Sequence, residues 1–314
     1  MNCIYETKYK IYEPQLGKNY NLAIISDLHF SYNVKDKKLT KIYQYLKNAS
    51  LDYILFPGDI IDTLDMIQSV SEKKRLYHFL EKLGSIAPVI ISIGNHEFYE
   101  KDKIKRHQKI YKYDEKFFKE LKSLKNIYLL NNSSYEDKEF YIFGLTLTNA
   151  YYCREEQAED LLNELVHIDS KYFKNLPINK QKLLLIHSPE NLMNKRNYKN
   201  ASSTKKQIYD KLIEYNYFIS GHMHNGCVFP ILNEIWNSSR GFISPIKKLF
   251  AKNTRKTLRT KEDKLLVNGP LTTFHEITGP LQLVNFIFPI HISIMEYKNN
   301  ELSKAFTIEN HYKF

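Results

Sequence analysis

Val89-Ile90-Ile91-Ser92-Ile93-Gly94-Asn95-His96-Glu97 is a short apolar run that stops at a glycine and then presents a carboxamide, an imidazole and a carboxylate in consecutive residues. A run of this length closed by a turn residue reads as a buried strand. The same arrangement recurs on both sides of it. Residues 22–25 lead into Asp27-Leu28-His29, residues 53–56 into Gly58-Asp59, residues 183–186 into His187, and residues 217–219 into Gly221-His222-Met223-His224. Chemistry-bearing side chains therefore stand at the ends of successive strands, where α/β proteins build their sites.

The residue types suit a metal centre. Two divalent ions held close together need several ligands each and one group able to serve both. A carboxylate has two oxygens and can bridge, whereas a neutral imidazole binds through one nitrogen. Asp59 is the expected bridge. Asp27, His29 and His224 are expected to complete the shell of one ion, and Asn95, His187 and His222 that of the other. Nitrogen and oxygen ligands without thiolate favour Mn, Fe, Zn, Ni or Co over Mg, Ca or copper(I). Of these, Mn, Fe or Zn is the expected pair, with Mn favoured.

The five blocks in this order resemble those of the calcineurin-like metallophosphoesterases, D-x-H, G-D, G-N-H-[DE], H and G-H-x-H, over about residues 20–225. The resemblance implies a four-layer αββα sandwich of two mixed β-sheets flanked by helices. It also implies hydrolysis of a phosphodiester or pyrophosphate bond by a hydroxide bridging two divalent ions. His96 matches a histidine that faces the scissile phosphate without being a ligand, and Asp62 matches a carboxylate that orients it in some members. Glu97 is expected to be structural. Protein Ser/Thr phosphatases have Arg directly after the position of Asp62; Thr63 stands here, against a phosphoprotein substrate. The phrases around Gly94–Glu100, residues 184–189 and residues 218–222 resemble a bacterial branch of small phosphodiesterases that includes UDP-diacylglucosamine hydrolases. That branch implies a nucleotide-linked or lipid-linked substrate. Many of its members follow the last block with Gly-Gly-Gln, where this chain has Asn225-Gly226-Cys227.

The rest of the chain fits one α/β domain over residues 1–314, since such folds reach this size undivided. Strands are expected at 4–12, 22–26, 52–56, 89–93 and 183–187, and helices at 37–48, 71–83, 114–124, 155–167 and 205–215. Residues 127–130 and 140–148 are expected in the second sheet. The alternation within 281–295 reads as two strands around a turn. No run of 18 apolar residues predicts a membrane span. Residues 1–10 lack the basic start and apolar core of a signal peptide. Cys3, Cys153 and Cys227 are odd in number and scattered, so no disulfide framework is expected and the compartment reads as cytoplasmic.

One segment stands apart, a basic insertion at about 230–264. Between Arg240 and Lys264 lie nine basic and two acidic residues, a balance of +7 in a chain of +11, interleaved with Phe242, Ile246, Leu249 and Phe250 and preceded by Trp236. This pattern suits an anionic, partly apolar surface: a solvated charged loop is the default reading of 236–264, and contact with the inner face of a membrane is the alternative. A basic surface also suits a phosphate backbone, so a nuclease is the second reading. It ranks lower because the charge sits in one segment and no aromatic stacking platform is recognisable. A non-catalytic binding protein of the same fold is the third. That class tends to lose ligands, and here all seven ligand positions and His96 are filled.

Overall fold

In chain order the elements are β1 (Ile4–Tyr12), β2 (Tyr20–Ile24), α1 (Asp36–Lys47), β3 (Tyr53–Pro57), α2 (Asp65–Gln68), α3 (Val70–Gly84) and β4 (Val89–Ser92). A hairpin of β5 (Tyr99–Lys101) and β6 (Lys109–Tyr111) follows, then α4 (Glu115–Ser123), β7 (Ile127–Leu130), β8 (Ser133–Glu136) and β9 (Phe140–Leu145). The chain continues through β10 (Gln181–Ile186), α5 (Ser203–Leu212), β11 (Tyr217–Ser220), β12 (Leu265–Val267), β13 (Ile290–Lys298) and β14 (Thr307–Lys313). The structure is a computed structural model and describes residues 3–101, 109–147, 176–188, 203–224, 264–272, 288–299 and 306–313.

Successive strand residues point to opposite faces, and here both faces are apolar. Ala23, Ile54, Phe56, Val89 and Ile91 pack with Leu39, Ile42 and Leu46 of α1 and Leu76, Phe79, Leu80 and Leu83 of α3. The alternate residues Leu22, Ile24, Tyr53, Leu55 and Ile90 pack against Phe140, Ile142, Leu183, Leu185 and Ile219. The far side of that second set, Phe143, Leu184, Ile186 and Phe218, packs with Leu212 of α5 and with Tyr215. Three apolar layers thus separate four layers of structure: helices, sheet, sheet, helix. The expected αββα sandwich of two mixed sheets is present.

The first sheet has the order β14-β1-β13-β2-β3-β4-β7 and the second β12-β11-β10-β9-β8. β2, β3, β4 and β7 run parallel, as do β9, β10, β11 and β12. One expectation is corrected here. Residues 127–130 belong to the first sheet, where Val89 to Ser92 pair in parallel with Ile127 to Leu130. The reason is the crossover between them. Asp114 caps α4 by accepting from the Phe117 amide. Phe117, Phe118 and Leu121 then bury in the same core as Ile127 and Leu129, which returns the chain beside β4. The second sheet begins only after Asn132 turns the chain with φ of 46°.

Of the expected helices, 155–167 lies outside the described residues. So do Cys153, Cys227 and the whole basic segment except Lys264. The Lys264 ammonium donates to the carbonyls of Ile213 and Tyr215 just past α5. Of 281–295, only Phe288 onward is described, and it enters one strand, β13. No helix among the described residues is long and apolar enough to cross a membrane.

Leu121 has no exposed surface and seals α4 onto the first sheet. Leu121→Ala should therefore cost about 2–5 kcal/mol of stability, the range for a buried leucine that leaves a cavity. Urea denaturation reads this as a lowered midpoint at unchanged slope. A loss below about 1 kcal/mol would mean that α4 does not pack as described.

Candidate metal centre

The parallel strands of both sheets end at one edge, and every block of the sequence pattern leaves from it. β2 runs on through Ile25 and Ser26 to Asp27, β3 leads into Gly58 and Asp59, and β4 leads through Ile93 into Gly94 and Asn95. From the second sheet β10 delivers His187, and β11 delivers Gly221 to His224. Main-chain bonds continue the pairing beyond the strands: the amides of Asp27, His29 and Phe30 donate to the carbonyls of Gly58, Asp59 and Ile60. The price is unusual backbone. Asp27, His29, Asp59, His222 and His224 all have positive φ, between 45° and 66°. Side chains other than glycine enter this region at about 1–2 kcal/mol each. Such outliers gather where surrounding structure over-determines them, commonly at functional sites.

Three groups of side chains bring one ligand atom each within 4.8 Å of one another: Asp27, His29 and His224; Asp59, His187 and His222; and His29, Asp62 and His96, which shares His29 with the first. The first two form the candidate centre. In the first, His29 Nε2 and His224 Nε2 are 3.0 Å apart. In the second, His187 Nε2 lies 3.2 Å from His222 Nδ1 and 2.9 Å from Asp59 Oδ2. The same Asp59 Oδ2 is 3.7 Å from His29 Nε2, so one carboxylate oxygen faces both clusters. The other, Oδ1, accepts from the His96 amide at 3.0 Å. Gly94 is needed for this approach, because a Cβ there would stand 2.3 Å from Asp59 Oδ1.

Divalent cations fit this donor set. Two nitrogens bound tetrahedrally to one zinc at about 2.0–2.1 Å are about 3.3–3.4 Å apart, close to the observed pairs. Asp27 Oδ2 and Asn95 Oδ1 are buried oxygens with no hydrogen-bond partner, which a cation would satisfy. Asn95 directly follows Gly94, which packs on Asp59 and His187. The all nitrogen and oxygen donor set suits first-row divalent ions.

Electrostatics keep the cluster polarised. Burial alone would raise the Asp59 carboxyl, but the His187, His96 and His222 rings hold it well below the usual carboxylate range. Burial opposes charge on His187 too. The Asp59 carboxylate outweighs it, with help from Asp27 and the Pro57 carbonyl, and pulls the imidazole up to about 9. Burial and the neighbouring His187 push His222 well down. Burial raises Asp27.

His96 stands beside the first cluster. Its ring meets His29 edge-on, with centroids 4.5 Å apart, and its Nε2 is 4.0 Å from Asp59 Oδ2. His96 Nδ1 donates to the main-chain carbonyl of Asp62 at 2.6 Å, whereas the Asp62 carboxylate is 3.8 Å away. The hydrogen bond from the ring thus goes to the Asp62 carbonyl. Asp62 does not cap a helix, since α2 begins at Asp65.

Glu97 has the structural role expected of it. Its buried carboxylate accepts four main-chain N–H groups, from Asp59, Ile60, Ile61 and Gly94, at 2.6 to 3.2 Å. It thereby ties the Gly-Asp loop to the Gly-Asn-His loop. Burial and the Asp59 charge push it up to about 7 against those four donors. Asn268 was not anticipated from the sequence. Its one signal was an Asn-Gly-Pro turn directly after the apolar run 265–267.

Glu97→Gln should destabilise the fold by several kcal/mol. A carboxamide can accept on only one side, so two of the four amides face an NH₂ group, at about 1–3 kcal/mol per orphaned donor. Thermal unfolding of the purified variant measures this. An unchanged midpoint would show that the four bonds do not tie the loops together.

Residues 20–226 match the family model described as calcineurin-like phosphoesterase. Among curated proteins the chain is similar to an uncharacterized metallophosphoesterase of Campylobacter jejuni, with 24% identity over 70% of this chain. It spans about half that relative's length, 48%. Among solved structures it is similar to a dimetal phosphatase from Danio rerio, at 14% identity with a TM-score of 0.37, covering 66% of this chain and 82% of that one. It is also similar to a single mutant of Vps29 from Entamoeba histolytica, at 12% identity with a TM-score of 0.34, covering 93% and 98%. The family model covers more than half of the sequence and contains every cluster residue, and the chain belongs to the calcineurin-like phosphoesterase family.

Proposed function

We propose that this protein is a dinuclear metal-dependent hydrolase of phosphodiester or pyrophosphate bonds, acting on a nucleotide-linked or lipid-linked substrate. The observation that carries the reading is Asp59 Oδ2, set 2.9 Å from His187 Nε2 and 3.7 Å from His29 Nε2. An oxygen of the second cluster that also faces the first is an arrangement that suits two close cations. Asp27, His29 and His224 would hold one ion, Asn95, His187 and His222 the other, and Asp59 both; Mn, Fe and Zn suit these donors. When bound, such a pair supplies Lewis acidity, lowering the pKa of water toward neutrality and neutralising phosphoryl oxygens.

The protein's own part is placement and proton handling. Asp59 keeps its charge in a water-poor site because three imidazoles surround it. With Nδ1–H committed to the Asp62 carbonyl, His96 turns Nε2 toward the clusters. Protonated there, it would donate to a phosphoryl oxygen or to the leaving alkoxide. The reaction needs no nucleophilic side chain. The preference for diesters and the lipid or nucleotide moiety rest on the sequence resemblance, supported by the absence of Arg after Asp62.

The wild-type chain loaded with Mn²⁺ should hydrolyse bis-p-nitrophenyl phosphate faster than p-nitrophenyl phosphate. Asp59→Asn should abolish that turnover and lower metal content at both sites, because the carboxamide keeps the shape but removes the charge between two cations. Normal turnover with two ions retained in Asp59→Asn would exclude it as the bridge.

His96→Ala should retain both ions and lose about 10²–10⁴ in kcat, the usual worth of a positioned acid or base. The loss should shrink for a p-nitrophenyl leaving group, which departs without a proton. Metal analysis beside kinetics decides: a variant that loses its ions would make His96 a ligand.

A further inference from the structure

We propose that Asn268 is a positioning residue that holds the Asp27 half of the centre in register with the Gly221–His224 half. The proposal rests on the reading of Asp27 and His222 as ligands.

The centre is assembled across a seam. Asp27, Asp59 and Asn95 come from the first sheet, and His187, His222 and His224 from the second. A slide of one sheet over the other by an ångström would pull the two sets apart. Several short contacts cross the seam inside the centre: the His222 amide donates to Asp27 Oδ1 at 2.8 Å, His187 Nδ1 donates to the Pro57 carbonyl at 2.7 Å, His187 Nε2 lies 2.9 Å from Asp59 Oδ2, and His29 Nε2 lies 3.0 Å from His224 Nε2. All of them use the ligand residues themselves. An independent reference must come from behind them.

Asn268 supplies it. It follows β12 and stays tied to the second sheet through its amide, which donates to the Ser220 carbonyl at 2.8 Å, next to Gly221. Its side chain, in a residue 1% exposed, is satisfied largely from the first sheet. Oδ1 accepts from Ser293 Oγ of β13 at 2.8 Å, and Nδ2 donates to Ser26 Oγ at 3.2 Å, next to Asp27. The remaining Nδ2 proton goes to the Gly269 carbonyl at 2.8 Å. The chain then runs on beside Asp27, with the Leu271 and Thr272 amides donating to the carbonyls of Ser26 and Asp27.

The fit has no slack. A Cβ on Gly221 would stand 2.6 Å from Asp27 Oδ2 and 2.9 Å from the Ser26 Cβ. Only a carboxamide offers, on one planar group, an acceptor toward Ser293 and two donors toward Ser26 and a carbonyl. Aspartate would turn an anion onto the Gly269 oxygen, and alanine would remove the bonds that link the Ser26 and Ser293 hydroxyls. Groups that orient metal ligands from behind in this way are commonly worth about 10–100-fold in metal affinity.

The test titrates Mn²⁺ by calorimetry into the metal-stripped 314-residue chain, with urea denaturation of each protein in parallel. Asn268→Ala should lower Mn²⁺ affinity by about 10–100-fold. Leu121→Ala, destabilised by a cavity far from the seam, should bind within about twofold of wild type. If Asn268→Ala fails to fold, Ser293→Ala carries the test, since it frees one end of the amide, and a several-fold weakening is expected. Wild-type affinity in the folded seam variant overturns the proposal, as does a loss that Leu121→Ala shares in proportion to its lost stability. A wild-type chain that binds no Mn²⁺ overturns the ligand reading and this proposal together. Two ions bound alike by wild type and variant overturn this one alone.

Discussion

The Asp59 carboxylate is 1% exposed, and most of what surrounds it exists because a buried charge must be compensated. An ionised group without water is tolerated only when paired and hydrogen-bonded. One oxygen takes the His96 amide and the other faces His187 and His29. Gly94 removes the side chain that would collide with it. Glu97, itself a buried carboxylate, is held by four amides of the same two loops and fixes where Asp59 sits. Two acids buried so close repel each other, and His187, pulled up to about 9, is the counterweight. Cations in the clusters would take over that role from the proton.

Local strain is the second cost. Five ligand-type residues in the left-handed region, at about 1–2 kcal/mol each, amount to much of a domain's typical net stability of about 5–15 kcal/mol. It is sustained because both strand faces are packed. Leu22, Leu55 and Ile90 bury between the sheets, while Ala23, Phe56 and Ile91 bury under the helices. Rigid strands end where the loops begin, so the loops cannot relax. The reward is geometric, since Asp-x-His and His-x-His both present their flanking side chains to one place.

Much of this was legible in the chain. The apolar runs at 22–25, 53–56, 89–93, 183–186 and 217–219 are strands to within a residue or two, and the polar residues that end them do converge. Runs buried on both faces carry a strong signal, because parallel strands covered by helices need apolar residues at every position. The amphipathic stretch from 71 to 83 is a helix for a related reason: Leu76, Phe79, Leu80 and Leu83 recur on one helical face and meet one core. Local periodicity failed at 127–130. Nothing within four residues says which of two sheets a strand joins; the burial of Phe117, Phe118 and Leu121 of α4 decided it.

By itself, then, the sequence determined most of the long strands and helices and the donor types that suit divalent cations, because these follow from periodicity and from side-chain chemistry; the layered sandwich was expected from the resemblance of the five blocks. Only the tertiary structure decided that Asp59 turns one oxygen to both clusters, that the Asp62 carbonyl rather than its carboxylate holds His96, and that Glu97 and Asn268 lock the loops from behind. Those facts depend on distances of about 3 Å between residues far apart in the chain. Asn268 and Ser26 lie 242 residues apart along it, and no local pattern carries a distance of that kind.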